Sequence, residues 1–207
     1  MITLNENQII NKLKDADKLP LDAEEASFKE FLIGEPIPAA VLIPLLIEEG
    51  EWRLLLTRRK YDLAEHSGQV AFPGGRADPA DDTPVRTALR EACEEIGLLP
   101  DDVRILGRLR KFHTVTNYLV TPVVGIIPWP YPLQISNEEV SRVFTIPLNW
   151  LADPKNMQVE KRELPPPYPP VSVIYYHPYD GEVLWGASAR ITQSFLNILT
   201  TNSVVAT

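Results

Sequence analysis

Apolar residues at helical spacing open the chain. Ile9, Ile10 and Leu13 within residues 5–16 predict an N-terminal helix, and Pro20 bars its continuation. Residues 39–48 are almost continuously apolar and predict a buried strand. Glu49-Gly50 then reads as a turn, and residues 52–58 as a second strand. No period holds from residue 58 to 71, which predicts a loop leading into a short strand, and Phe72-Pro73-Gly74-Gly75 reads as a turn. Residues 83–96 carry the clearest helical pattern. Thr83 suits the N-cap, Pro84 the first helical position, and Gly97 follows the last turn. Residues 103–112, 118–127 and 143–147 predict strands, and 148–153 a short helix. Residues 171–176 and 182–185 predict a hairpin around Asp180-Gly181, and 188–199 an amphipathic closing helix. The alternation of strands and helices predicts an α/β (α+β) fold, a mixed sheet sandwiched between helices. The expected organisation is a helical extension over residues 1–36 packed on a domain of residues 37–199, with a tail from 200 to 207.

Composition narrows the class. The 207 residues are 44% apolar and carry a net charge of −8, so a nucleic-acid backbone is not the expected partner. A polyanionic substrate has to be drawn in by a few local cations. The lone Cys93 allows no intramolecular disulfide, and on a helix it is expected to be packed rather than reactive. The polar first 20 residues lack the apolar core of a signal peptide. The longest apolar run, residues 37–47, is broken by Pro38 and Pro44 and is too short for a bilayer. A soluble, cytoplasmic protein with no membrane partner is expected, with a homodimer left open. The run Leu164-Pro165-Pro166-Pro167-Tyr168-Pro169-Pro170 predicts a rigid surface loop, with a ligand for a proline-recognising domain as the alternative.

The chemistry concentrates on the helix over residues 83–96. At about 100° per residue, Val85, Ala88, Leu89, Ala92 and Ile96 form an apolar stripe. Glu91 and Glu95 project together one turn apart, with Glu94 on the same flank. Like charges at this spacing cost about 0.2–0.5 kcal/mol per pair, and they sit at the unfavourable end of the helix dipole. A divalent cation would remove that penalty; a solvated acidic face is the alternative. Gly74-Gly75 just upstream can bring bare backbone close to a metal or phosphate. Carboxylate and carbonyl oxygens suit Mg²⁺ or Mn²⁺.

Gly75 followed by Arg90-Glu91-Ala92-Cys93-Glu94-Glu95-Ile96-Gly97-Leu98 resembles the box of the Nudix hydrolases. The spacer from Gly75 to Arg90 is one residue longer than in the general box, and Asp81 or Asp82 stands near its upstream Glu position. The longer spacer resembles the coenzyme A pyrophosphatase branch. So do Leu55-Leu56-Thr57-Arg58-Arg59, Gly68 and Phe72-Pro73-Gly74-Gly75 in register, with departures at Lys60 and Ala64. Similarity continues through Tyr118 to Gly125, Glu139-Val140 and Leu184-Trp185-Gly186, covering roughly residues 37–199.

The resemblance implies that Glu91 and Glu95 hold Mg²⁺ or Mn²⁺, with Glu94 a further ligand or base and the Gly75 carbonyl an added ligand. A loop carboxylate such as Glu139 is a further catalytic candidate. Arg58, Arg59 and Lys60 form a basic cluster, candidates with Gly74 for binding substrate phosphate. Arg90 could also touch phosphate, although pairing with acidic neighbours to hold the loop after Gly75 is expected. His66 is expected to be structural, and Trp185 to be core. The expected function is cleavage of the pyrophosphate of coenzyme A or its derivatives to 3′,5′-ADP and 4′-phosphopantetheine. The alternatives are a Nudix hydrolase of ADP-ribose, dinucleotides or nucleoside triphosphates, and a non-catalytic nucleotide-binding module.

Overall fold

The structure is a computed structural model that describes residues 2–20, 23–31, 34–60 and 68–201. Helix α1 (Glu6–Leu13) starts in a capping box, where Asn5 and Gln8 each accept from the other's backbone N–H. Helix α2 (Ala23–Lys29) follows; its polar sequence gave no periodic signal. Strands β1 (Ile37–Glu48) and β2 (Glu51–Arg59) form the expected hairpin, with Glu49 and Gly50 both at positive φ in its two-residue turn.

The hairpin then splays. Towards its open end β1 pairs with β4 (Gly74–Arg76), while β2 pairs with β3 (Val70–Ala71). The Leu42 N–H donates to the Pro73 carbonyl at 2.8 Å. Residues 70–76 are therefore a wedge driven between the two long strands. The sequence pattern makes Phe72 to Gly75 a turn, but Gly74 and Gly75 lie in a strand. The reason is steric: a Cβ on Gly74 would meet the Ala40 carbonyl oxygen at 2.4 Å, so only glycine lets the wedge approach β1.

Helix α3 (Pro84–Ile96) has the expected ends. The Thr83 side chain accepts from the Arg86 N–H, and Gly97 closes the helix in the left-handed conformation. The single strand expected over residues 103–112 is broken. β5 (Arg104–Arg108) and β6 (Phe112–His113) pair separately with β7 (Tyr118–Ile126), with an irregularity between Ile105 and Gly107. β7 runs parallel to β1, and β8 (Val140–Pro147) covers the other edge of β2. Helix α4 (Leu148–Ala152) follows as expected.

Strand β9 (Met157–Arg162) was not foreseen. It is largely exposed and polar, so no alternation marks it. It pairs across the proline-rich loop with β10 (Val171–Tyr176), which takes the place of the hairpin expected with residues 182–185. The Asp180-Gly181 turn exists, but only isolated bridges, Tyr175 with Trp185 and Tyr179 with Glu182, join its arms. Helix α5 (Gly186–Thr200) closes the described chain.

Eight strands among the described residues form one mixed sheet with apolar clusters on both faces. Ile43, Leu45, Leu54 and Leu56 face a cluster holding Ile9, Leu13 and Phe195 from α1 and α5. Leu42, Leu46 and Leu55 face Ala88, Ala92 and Ile96 of α3. Burial on both faces is why β1 and β2 read as continuous apolar runs. Among the described residues, no helix is long and apolar enough to cross a membrane.

Candidate active site

Two elements fix the site. The wedge sets Gly75 opposite Ala40 of β1, and α3 packs its apolar stripe on β1 and β4. This docking presses Glu91 against Gly75: a Cβ at Gly75 would meet the Glu91 Oε2 at 2.5 Å. Glu95, one turn on, is 3% exposed. Glu94 points outward, its side chain 58% exposed.

The cations around the trio divide the work. Arg59 of β2 reaches Glu95 at 3.6 Å, while Glu95 Oε2 and Arg59 Nε are buried without hydrogen-bond partners. Arg90 pairs with Asp81 at 3.0 Å, Glu91 at 2.8 Å and Glu94 at 2.9 Å. It also donates to the Arg76 carbonyl at 3.1 Å. Arg90 therefore ties the strand after Gly75, the spacer and the carboxylates together. Its hydrogen bond holds the Asp81 carboxyl below the ordinary range.

Burial dominates the two inner carboxylates. Desolvation pushes Glu95 up to about 8; Arg59 opposes the shift, while the charges of Glu91 and Glu139 add to it. Desolvation also raises Glu91, against Arg90, with Glu94 and Glu139 reinforcing it. Glu139 thus belongs to the same electrostatic cluster. Its loop is docked on the end of α3, where the Ser136 N–H donates to the Glu95 carbonyl at 2.8 Å. Lys60 holds the other side, its N–H donating to the Glu139 carbonyl at 2.9 Å.

The basic run on β2 does not act as one cluster. Successive strand residues face opposite ways. Arg59 turns to Glu95, while Arg58 turns to Ser141 at 2.9 Å and Glu182 at 3.1 Å. Ala64 and His66 lie outside the described residues, as does the tail from residue 202. Cys93 is half-buried.

A cleft of about 580 Å³ starts at Arg59, Gly74 and Gly75 and runs beneath β10 to the start of α5. None of the three carboxylates lines the cleft; Glu95 meets it through Arg59 and Glu91 through Gly75. Trp185, expected in the core, is half-buried and lines the cleft. It stacks on Tyr175 with centroids 5.6 Å apart, and Arg162 lies over its ring at 5.4 Å. Arg162 and Arg190 also line the cleft. Sequence reasoning missed both, because neither belongs to a local charge pattern.

This arrangement defines a class: carboxylates on one helix turn, set against a glycine wedge, on a mixed sheet between helices. The NUDIX domain family matches residues 36–166. The chain is 39% identical over 156 residues to the uncharacterized Nudix hydrolase NudL of Yersinia pestis (strain Pestoides F), covering 74% of this chain and 75% of that one. The same figures hold for NudL of Yersinia pseudotuberculosis serotype O:1b. The fold is similar to the crystal structure of a MutT/nudix family protein from Enterococcus faecalis, with a TM-score of 0.52 at 15% identity, covering 94% of this chain and 74% of that one. The chain belongs to the Nudix family and is a pyrophosphohydrolase of it.

Nudix hydrolases generally use divalent metal ions. The donor set fits one: Glu95 Oε2 is a buried oxygen lacking a partner, beside a second desolvated carboxylate. Among the described residues no three acidic, His or Cys side chains already stand together as a cage. Glu91 and Glu95 lean instead on Arg90 and Arg59.

Proposed function

We propose that the chain hydrolyses the pyrophosphate of coenzyme A or a derivative, releasing 3′,5′-ADP and 4′-phosphopantetheine. The observation that carries the reading is the long cleft abutting the carboxylate site. Its volume of about 580 Å³ and largely apolar walls, among them Phe72, Val173 and Ile191, suit a ligand with a large non-nucleotide arm. The coenzyme A-type wedge motif forms the cleft's phosphate end.

Glu91 and Glu95 would hold the divalent cation, with Glu94 and the Gly75 carbonyl as further oxygen donors; when bound, the ion would neutralise phosphate charge and acidify water. Arg59 receives a substrate phosphate from the cleft side, and the Gly74 backbone lets the phosphate come close. Arg90 acts through the carboxylates it orients, and Glu139 or Glu94 accepts the proton of the attacking water. Water adds to one phosphorus, the bridging oxygen leaves with the other, and two phosphomonoesters result. Arg58, turned to Glu182, and Lys60 do not line the cleft, so Arg59 is the cation of this run that meets the substrate.

The test is turnover with Mg²⁺ or Mn²⁺ on coenzyme A, acyl derivatives, ADP-ribose and NADH. The reading predicts the highest kcat/KM on coenzyme A or an acyl form. A preference for ADP-ribose or NADH overturns it.

A further inference from the structure

The cleft begins beside a cation that the hydrolytic site leaves unused. Gly75 and Arg76 are successive residues of β4, so their side-chain positions face opposite sides of the sheet. A Cβ on Gly75 would run into Glu91 on the α3 side. Arg76 therefore faces the other side, where the cleft lies. Its strand partner agrees: Arg76 pairs with Ala39, which belongs to the apolar cluster on the face away from α3. The row continues across the sheet, from Ala39 to Val120 of β7 and from Val120 to Phe112 of β6. All four residues line the cleft. This part of its wall is thus an apolar row with one guanidinium at the end next to the glycine wedge.

The other arginines of the cleft are committed. Arg59 reaches Glu95, Arg190 reaches Glu24 and Glu25, and Arg162 lies over the rings of Tyr175 and Trp185. The Arg76 side chain is exposed and makes no ion pair, hydrogen bond or ring contact with the described residues. The acids that follow it turn elsewhere: Asp81 pairs with Arg90, and Asp78 accepts the Ala80 N–H at 2.8 Å. Its backbone is nevertheless fixed. The Arg76 carbonyl accepts from Arg90 at 3.1 Å, and the Ala77 N–H donates to the Pro38 carbonyl at 2.9 Å. An uncommitted cation on a fixed strand, in a protein of net charge −8, is a ready partner for an anion in the cleft.

We propose that Arg76 binds the phosphate that carries the substrate's non-nucleotide arm, with the arm laid along the Ala39, Val120 and Phe112 row. Arg76 is then a specificity-determining residue: it sets which way round the substrate lies and holds the arm-bearing monoester after cleavage. The role deepens the proposed coenzyme A reading and rests on it, but has its own test.

The test is calorimetric binding of 4′-phosphopantetheine, pantetheine and 3′,5′-ADP to the full chain in chelating buffer, where no bound cation contributes. The parent should bind 4′-phosphopantetheine more tightly than pantetheine, which lacks the phosphate. Arg76→Gln should weaken 4′-phosphopantetheine by about fivefold to tenfold, and Arg76→Lys by less. Pantetheine and 3′,5′-ADP should each change by less than about twofold in both variants. Thermal melts should match the parent, because the side chain is exposed and unpaired. Parental 4′-phosphopantetheine binding in Arg76→Gln overturns the proposal. So does an equal or larger loss of 3′,5′-ADP, or no 4′-phosphopantetheine binding to the parent. A chain that shows the expected pattern without cleaving coenzyme A keeps the role of Arg76 and loses the substrate reading. A chain that cleaves coenzyme A without the pattern does the reverse.

Discussion

Glu95 combines burial with an oxygen that no protein group satisfies, which is costly for structure and useful for cation binding. Its carboxyl titrates near 8 against an ordinary 4.5. Because the folded value is the higher one, its contribution to stability is complete below about pH 4.5 and is lost as the pH rises towards about 8. In chelating buffer, Glu95→Gln should therefore melt higher than the parent at pH 8, by about 3 °C or more, with the gap closing towards pH 4.5. An equal or lower melting point at pH 8 contradicts the assignment. Gly75 has a different constraint, since an added methyl would collide with the Glu91 carboxylate. Gly75→Ala should cut kcat by about tenfold or more while circular dichroism stays unchanged; a parental kcat would show that the contact is dispensable. Both residues were legible in the sequence from the spacing of the box. Arg59 was legible only as one of three adjacent cations; the alternation of the strand decides that it faces Glu95 and Arg58 does not.

At the scale of elements, α3 is where local and tertiary signals agree. Its cap, proline and closing glycine were all legible, and its stripe meets the sheet as the pattern predicts. Thr83→Ala should cost about 1 kcal/mol and lower Tm by about 2–4 °C without changing KM; an unchanged Tm would mean that Arg90 and the packed stripe fix the helix start by themselves. The wedge was misread because a strand of three residues, two of them glycine, carries no alternation. β9 and α2 were missed for a related reason. Each is short and largely polar, and each is held by tertiary partners: β9 by β10, and α2 by Arg110, Arg190 and Tyr168. Sequence periodicity sees burial, and these elements bury little of themselves.

At the scale of the molecule, the sheet and its two apolar faces make a rigid frame, and the chemistry lies where β1 and β2 part. The splay admits the glycine wedge, the wedge positions α3, and the cleft runs from there to α5. The sheet between helices and the carboxylate helix were legible in the sequence. The cleft was not, because residues 24 to 191 meet in it and no local pattern marks such a meeting. The central claim is that the carboxylates on α3 drive pyrophosphate hydrolysis. The most direct measurement is product analysis by mass spectrometry after incubation with coenzyme A and Mn²⁺, for the parent and for folded Glu95→Gln. The account predicts equal amounts of 3′,5′-ADP and 4′-phosphopantetheine from the parent, and a rate lower by about a hundredfold or more in the variant. Parental rates in Glu95→Gln, or no cleavage by the parent of coenzyme A or any other phosphoanhydride, would contradict it.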